Sequence, residues 1–188
     1  MTTSTAMPTI NGRRYLSAQL NEIKKRTQNG EKVAVSFDVD NTLVDTRGRA
    51  LAIGKAFDKA NGTSYFKSKT AKAMGNDAKE TAALMRMSAE HTKKFSALWF
   101  RMFFKGENYK HDLKISPTIE LAKKAAAAGA DVHIVTARTQ SEESFTIAQL
   151  EAAGLDTDDH FVVSKPRMKD KTPEYKASEL KKLAESYD

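Results

Sequence analysis

Three short apolar runs, residues 33–37, 132–135 and 161–163, are each preceded or followed by a stretch patterned for a helix. Each run is rich in valine or phenylalanine and ends in polar residues, as a strand buried on both faces does. The helical stretches carry their own punctuation. Residues 10–28 read as a helix stopped by Asn29 and Gly30, glycine being common just past a helix end. Ser116-Pro117 and Thr172-Pro173 each set a capping hydroxyl before proline at the first helical position. Gly129 closes the first of these helices, Ser141 opens another, and Gly154 ends it. In the last helix Ala177, Leu180, Leu183, Ala184 and Tyr187 recur at helical spacing. Strands that alternate with helices require a parallel sheet covered on both faces. The expected fold class is α/β, a three-layer Rossmann-like parallel sheet.

Residues 46–114 interrupt this alternation and show no strand pattern. Phe95, Leu98, Trp99, Met102 and Phe103 fall at i, i+3, i+4, i+7 and i+8, one face of a helix. Such a stripe suits packing of the insert against the core better than a cofactor site. Phe100 and Phe104 lie beyond that face, placed to meet a second surface. Gly62, Gly75 and Gly106 are breaks between helices of the insert. The domain reading is therefore a core of residues 1–45 and 115–188, with a helical cap of residues 46–114 inserted after the first strand.

Charge is distributed unevenly. The chain holds 31 Lys plus Arg against 24 Asp plus Glu, a net charge of +7. Residues 46–114 alone hold 15 basic and 6 acidic side chains, leaving 16 and 18 elsewhere, so the insert is near +9 and the rest near −2. Such a field attracts phosphorylated small molecules or nucleic acid, and it also serves as a solvated surface. Cysteine is absent, which excludes disulfides, zinc thiolates and cysteine nucleophiles. No segment approaches the roughly 20 apolar residues of a membrane span. Residues 1–9 have neither the basic nor the apolar part of a secretory signal, so a cytoplasmic location without a membrane partner is expected. His91, His111, His133 and His160 lack metal-ligand spacing. No Gly-x-Gly-x-x-Gly or P-loop pattern occurs, and Ser36 lacks a Gly-x-Ser-x-Gly setting.

The segment Phe37-Asp38-Val39-Asp40-Asn41-Thr42-Leu43-Val44 follows the first strand directly. Two carboxylates two residues apart then sit at the carboxyl edge of the sheet, where open α/β sheets bind ligands. Amides of the following turn would cradle phosphate oxygens, and a divalent cation would neutralise carboxylates and phosphoryl group together. Asp38-Val39-Asp40-Asn41-Thr42 resembles the first motif of the haloacid dehalogenase (HAD) superfamily phosphatases. That resemblance implies Asp38 as nucleophile and Asp40 as general acid and base. It also implies Mg²⁺, held by the Asp38 side chain and the Asp40 main-chain carbonyl.

The remaining motifs are read through the same resemblance. His133-Ile134-Val135-Thr136-Ala137-Arg138 is similar to the second motif, which implies that Thr136 binds the phosphoryl group. Arg138 either holds substrate or caps the loop. Glu174-Tyr175-Lys176 is similar to the Tyr-Lys helix start of acid-phosphatase-like members, which implies Lys176 as the phosphate-bridging lysine, with Lys165 as the alternative. The fourth motif, a further strand ending in an acidic pair, is missing, and Asp170 and Glu174 are poor substitutes. Weaker Mg²⁺ binding and slower turnover are expected in consequence. The implied function is hydrolysis of a phosphate monoester on a small or nucleotide-like molecule through an aspartyl phosphate. Two alternatives stay open: a phosphatase of nucleic-acid ends, with nucleic acid bound by the basic cap, and a non-catalytic or partner-completed binding module. Self-association is open as well.

Overall fold

The computed structural model describes residues 12–157 and 160–187. The readings of residues 1–11 and of Asp188 lie outside the described residues. Helix α1 (Gly12–Gln28) turns at Gly30, whose φ of 81° is the left-handed conformation that glycine adopts freely, and leads into β1 (Ala34–Phe37). A short strand β2 (Val44–Asp45) precedes helices α2 (Arg47–Asn61), α3 (Ala78–Leu84) and α4 (Ala89–Phe103). A 3-10 turn (Gly106–His111) and strand β3 (Leu113–Lys114) return the chain to α5 (Ser116–Ala127). Strand β4 (Asp131–Thr139), helix α6 (Glu143–Ala152), strand β5 (His160–Lys165) and helix α7 (Thr172–Ala184) complete the order. The main sheet is parallel in the order β1-β4-β5, with Phe37 beside Ile134 and Thr136 beside Ser164. The α/β class and its parallel sheet are those expected from the alternation of strand and helix patterns.

Three local readings need correction. Ser116 and Thr172 are the first helical residues; the capping positions are Ile115 and Lys171, which make no side-chain cap. Thr172 Oγ1 accepts from Lys165 Nζ at 3.3 Å, and at the start of α5 it is Thr118, not Ser116, whose Oγ1 donates to the Ile115 and Thr42 carbonyls and anchors the helix. Helix α6 starts at Glu143 after a 3-10 turn, because Ser141 is bonded back to Thr139 at 2.8 Å. Finally, residues 46–114 do contain strand: β3 pairs antiparallel with β2, Val44 beside Lys114 and Asp45 beside Leu113. Two strands of two residues are too short to show periodicity, yet they pinch the ends of the insert together.

Apolar side chains form two separate clusters. One joins α1, β1, α5, β4 and α6 through residues such as Phe37, Val39, Leu43, Ile119, Ile134 and Leu150. The other lies within the insert and includes Ile53, Phe57, Phe66, Phe95, Trp99 and Phe103. Phe95 meets Phe57, Phe66 and Trp99 with ring centroids 5.4–5.7 Å apart, within the range at which aromatic pairs attract. The α4 stripe therefore builds the insert's own core, where the sequence suggested packing against the sheet domain. An independent core of this size explains how a long insertion between β2 and β3 stays folded. Truncation of fully buried Phe95 to alanine is expected to destabilise the chain by about 3–5 kcal/mol, read as a lowered urea midpoint.

Candidate active site

The turn after β1 is shaped by its own backbone. Val39 carbonyl accepts from the amides of Thr42, Leu43 and Val44 at 3.2, 2.9 and 3.1 Å, and the Asn41 amide donates to Val44 at 2.6 Å. Asn41 takes φ 60°, a left-handed conformation that asparagine tolerates better than most residues. Its side-chain oxygen accepts from the amide and hydroxyl of Thr46, which fastens the turn to the start of α2. The amides of residues 41–44 are thus spent inside the turn. The expected phosphate cradle from these amides is not present, because a tight turn satisfies its own donors first.

Asp38 and Lys176 come together. Asp38 Oδ2 lies 2.6 Å from Lys176 Nζ, and Asp38 Oδ1 accepts from the Val39 amide at 2.8 Å. The pair stays partly open to solvent, with side-chain exposures of 39% for Asp38 and 25% for Lys176. Lys176 reaches the site from the N-terminal part of α7, which packs over β1 and β4. Lys165 is buried and turned elsewhere: its Nζ donates to the Met168 and Asp170 carbonyls at 3.2 and 3.1 Å. It braces the loop before α7. Asp170 and Glu174 are bound up with Arg167 and Lys171 at the surface.

Asp40 points the other way, into a buried cluster of charge. Its Oδ1 accepts from Arg138 Nη2 at 2.7 Å, from Arg138 Nε at 3.2 Å and from Arg49 Nη2 at 3.1 Å. Behind both arginines lies Asp112, fully buried, which accepts from Arg49 Nε at 2.9 Å and from Arg138 Nη2 at 3.2 Å and also pairs with Arg49 Nη2. Gln149 bridges the two ends, accepting from Arg138 at 2.7 Å and donating to Asp112 at 3.0 Å. The Tyr109 ring sits between the guanidinium groups, 4.3 Å from Arg49 and 3.8 Å from Arg138, a cation–π arrangement on both faces. Burial alone would raise the Asp40 pKa, but Arg138 and Arg49 outweigh it and hold the carboxyl below its usual range.

Thr136 is also buried, at the carboxyl end of β4, where its Oγ1 accepts from the Arg138 amide at 3.2 Å. Among the described residues no hydrogen bond joins its side chain to Asp38, Asp40 or Lys176. The structure thus brings together Asp38 with Lys176, and Asp40 with Arg138, and sets Thr136 beside the second pair. Arg138 neither caps its loop nor reaches solvent; it binds Asp40. Sequence reasoning missed Arg49, Tyr109, Asp112 and Gln149. Arg49 and Asp112 were counted within the insert's surface charge, and nothing in their local pattern marks them as buried. Among the described residues no three His, Cys, Asp or Glu side chains gather into a metal-sized cluster. The exposed Asp38 carboxylate still offers a hard oxygen to a cation such as Mg²⁺, which can bind through one or two carboxylates, retained waters and substrate phosphate.

Asp112→Ala should destabilise the fold by about 3–5 kcal/mol in urea unfolding, since it leaves two buried guanidiniums to share the single carboxylate of Asp40. Asp40 makes a signed pH prediction. Its folded pKa lies below the unfolded value, so its contribution is present above the unfolded pKa of about 3.9 and is lost as pH falls through the folded value. The stability gap between wild type and Asp40→Asn should narrow in unfolding curves taken at successively lower pH below that value. An unchanged gap would contradict the ionised state assigned to Asp40.

The comparisons with known proteins bear on the family. The family model described as HAD superfamily, subfamily IIIB (Acid phosphatase) matches residues 85–188, more than half of the chain. The match takes in α4, β4 with Thr136 and Arg138, and α7 with Lys176, and begins after the Asp38 turn. No curated protein matched the chain. A parallel three-stranded Rossmann-like sheet and a family model spanning α4 to α7 lead to one assignment: the chain belongs to the acid phosphatases of HAD subfamily IIIB, hydrolases of phosphate monoesters.

Proposed function

We propose that the protein hydrolyses the phosphate ester of a small or nucleotide-like molecule through a covalent phosphoryl group on Asp38. The observation that carries this reading is the Asp38–Lys176 pair, open to solvent at the carboxyl end of β1. An incoming phosphoryl group would meet a carboxylate oxygen and an ammonium together. Asp38 attacks phosphorus, the ester P–O bond breaks, and the departing oxygen takes up a proton. Water then attacks the same phosphorus, releasing inorganic phosphate and restoring the Asp38 carboxylate. Lys176 offsets the phosphate charge in both steps. Thr136 supplies a hydroxyl from the end of β4.

Asp40 is the proposed proton carrier. In the ionised form held by Arg138 and Arg49 it is ready to accept a proton from the attacking water. Delivering a proton to the leaving group requires it to be protonated first, which those arginines oppose, so the base half of the role is the better supported. Mg²⁺ is the proposed cofactor, held by the Asp38 side chain and the Asp40 main-chain carbonyl; it would screen phosphate charge against the two aspartates. Among the described residues no three acidic side chains gather into a metal-sized cluster, so half-saturation is expected at a high Mg²⁺ concentration.

Residues 46–114 are the proposed cap, selecting anionic substrates through their basic excess. Among the described residues no helix is long and apolar enough to cross a membrane. The reading is tested by hydrolysis of para-nitrophenyl phosphate with and without Mg²⁺. Asp38→Asn should abolish turnover and Asp40→Asn should lower it about 10²- to 10⁴-fold. Lys176→Met should cost about 10²- to 10³-fold in kcat, the scale of one lost charge-stabilising donor. Turnover that survives Asp38→Asn would overturn the nucleophile. A folded wild type inert at every Mg²⁺ concentration would point to the non-catalytic module.

A further inference from the structure

The insert's core takes up one face of α4 and leaves most of the other open. Phe95, Trp99 and Phe103 are buried in the aromatic cluster. Away from these, Lys93, Ala97 and Phe100 follow one another at i, i+4 and i+7 and are exposed, while Phe104, at the capping position just past the helix, continues the stripe and packs partly against the insert's core. Phe100 is 68% exposed, more than any other large apolar side chain among the described residues. Its ring lies 6.5 Å from that of Phe104 and within 26° of parallel. Lys93, Arg101 and Lys105 are exposed around this pair. Among the described residues none of the three is in an ion pair, whereas Lys94, the neighbour of Lys93, is paired with Glu90.

We propose that this face of α4 binds single-stranded nucleic acid. The exposed Phe100 ring, backed by the near-parallel and partly buried Phe104 ring, offers a stacking platform for an unpaired base, and unpaired cations beside it suit the phosphate backbone. A duplex keeps its base faces covered and cannot use the rings. A second copy of the chain would bring a strongly basic insert against an equally basic insert, where like charges repel. A polyanion with exposed aromatic faces satisfies both the charge and the rings. The inference is independent of the hydrolytic reading, since neither Phe100 nor the flanking cations belong to the Asp38 site.

The test is fluorescence anisotropy of labelled oligothymidylate with both ends hydroxylated, so that no terminal phosphate can occupy the Asp38 site. The full chain should bind it, with log affinity falling against log salt at a slope of about −2 for three neutralised phosphates. Phe100→Ala should weaken binding roughly 5- to 150-fold, as loss of one stacking platform does. The same variant should keep wild-type circular dichroism and wild-type hydrolysis of para-nitrophenyl phosphate, and Phe100→Trp should restore binding. The proposal is overturned if the oligonucleotide does not bind at low salt, or if it binds equally well to a folded Phe100→Ala, Phe104→Ala double variant. It is also overturned if blunt duplex of the same length competes equally, or if sedimentation shows a dimer that Phe100→Ala dissolves.

Discussion

Two arginines and two aspartates meet between the sheet and the insert, three of the side chains buried and Asp40 partly open, and the geometry of the site depends on their balance. Arg49 comes from α2, Asp112 from the neck before β3, Arg138 from β4 and Asp40 from the turn after β1. Taking four charges out of water is costly, and only near-complete pairing repays it. Here two positive charges meet two negative ones, Gln149 fills a remaining valence, and Tyr109 lies between the guanidiniums. The cluster therefore contributes definition more than net stability. Few placements of the insert let every partner be satisfied at once, so the polar joint fixes an orientation that apolar contact alone would leave looser.

That joint also separates the two aspartates of the motif. They are two residues apart, yet one faces Lys176 near solvent and the other is locked among arginines. Two like charges that shared one pocket would repel; here each carboxylate has its own cationic partner. The same division suits the roles proposed for them, attack on phosphorus for Asp38 and proton handling for Asp40. With Asp40 in its proposed role the joint also couples the insert to the reaction, because Arg49 of the insert holds Asp40 and Asp112 of the insert holds Arg49. Movement of the insert would alter the partners of a reacting group without touching Asp38.

Much of the sheet domain was legible because its signals are local. The valine-rich runs, the glycines at helix ends and the carboxylate pair after β1 each announce themselves within a few residues, and Lys176 stands out from Lys165 by its Tyr-Lys context. What escaped reading was set by distant partners. Arg49 and Asp112 are 63 positions apart, and each looks like ordinary surface charge until the chain folds. β2 and β3 are too short to show periodicity, and the turn amides look available in sequence but are consumed by the Val39 carbonyl. The α4 stripe was correctly seen as a packing face but given the wrong neighbour, since periodicity shows that a face is buried and not against what.

The most direct test of the central claim is to catch the phosphoryl group on the protein. Enzyme mixed with substrate and quenched in acid within one turnover would be digested and its peptides weighed. The account predicts a phosphoryl adduct on the peptide carrying Asp38, at Asp38 itself, absent from Asp38→Asn and lost when the quench is delayed past substrate exhaustion. Steady turnover with no adduct at any time, or an adduct on another residue, would contradict it.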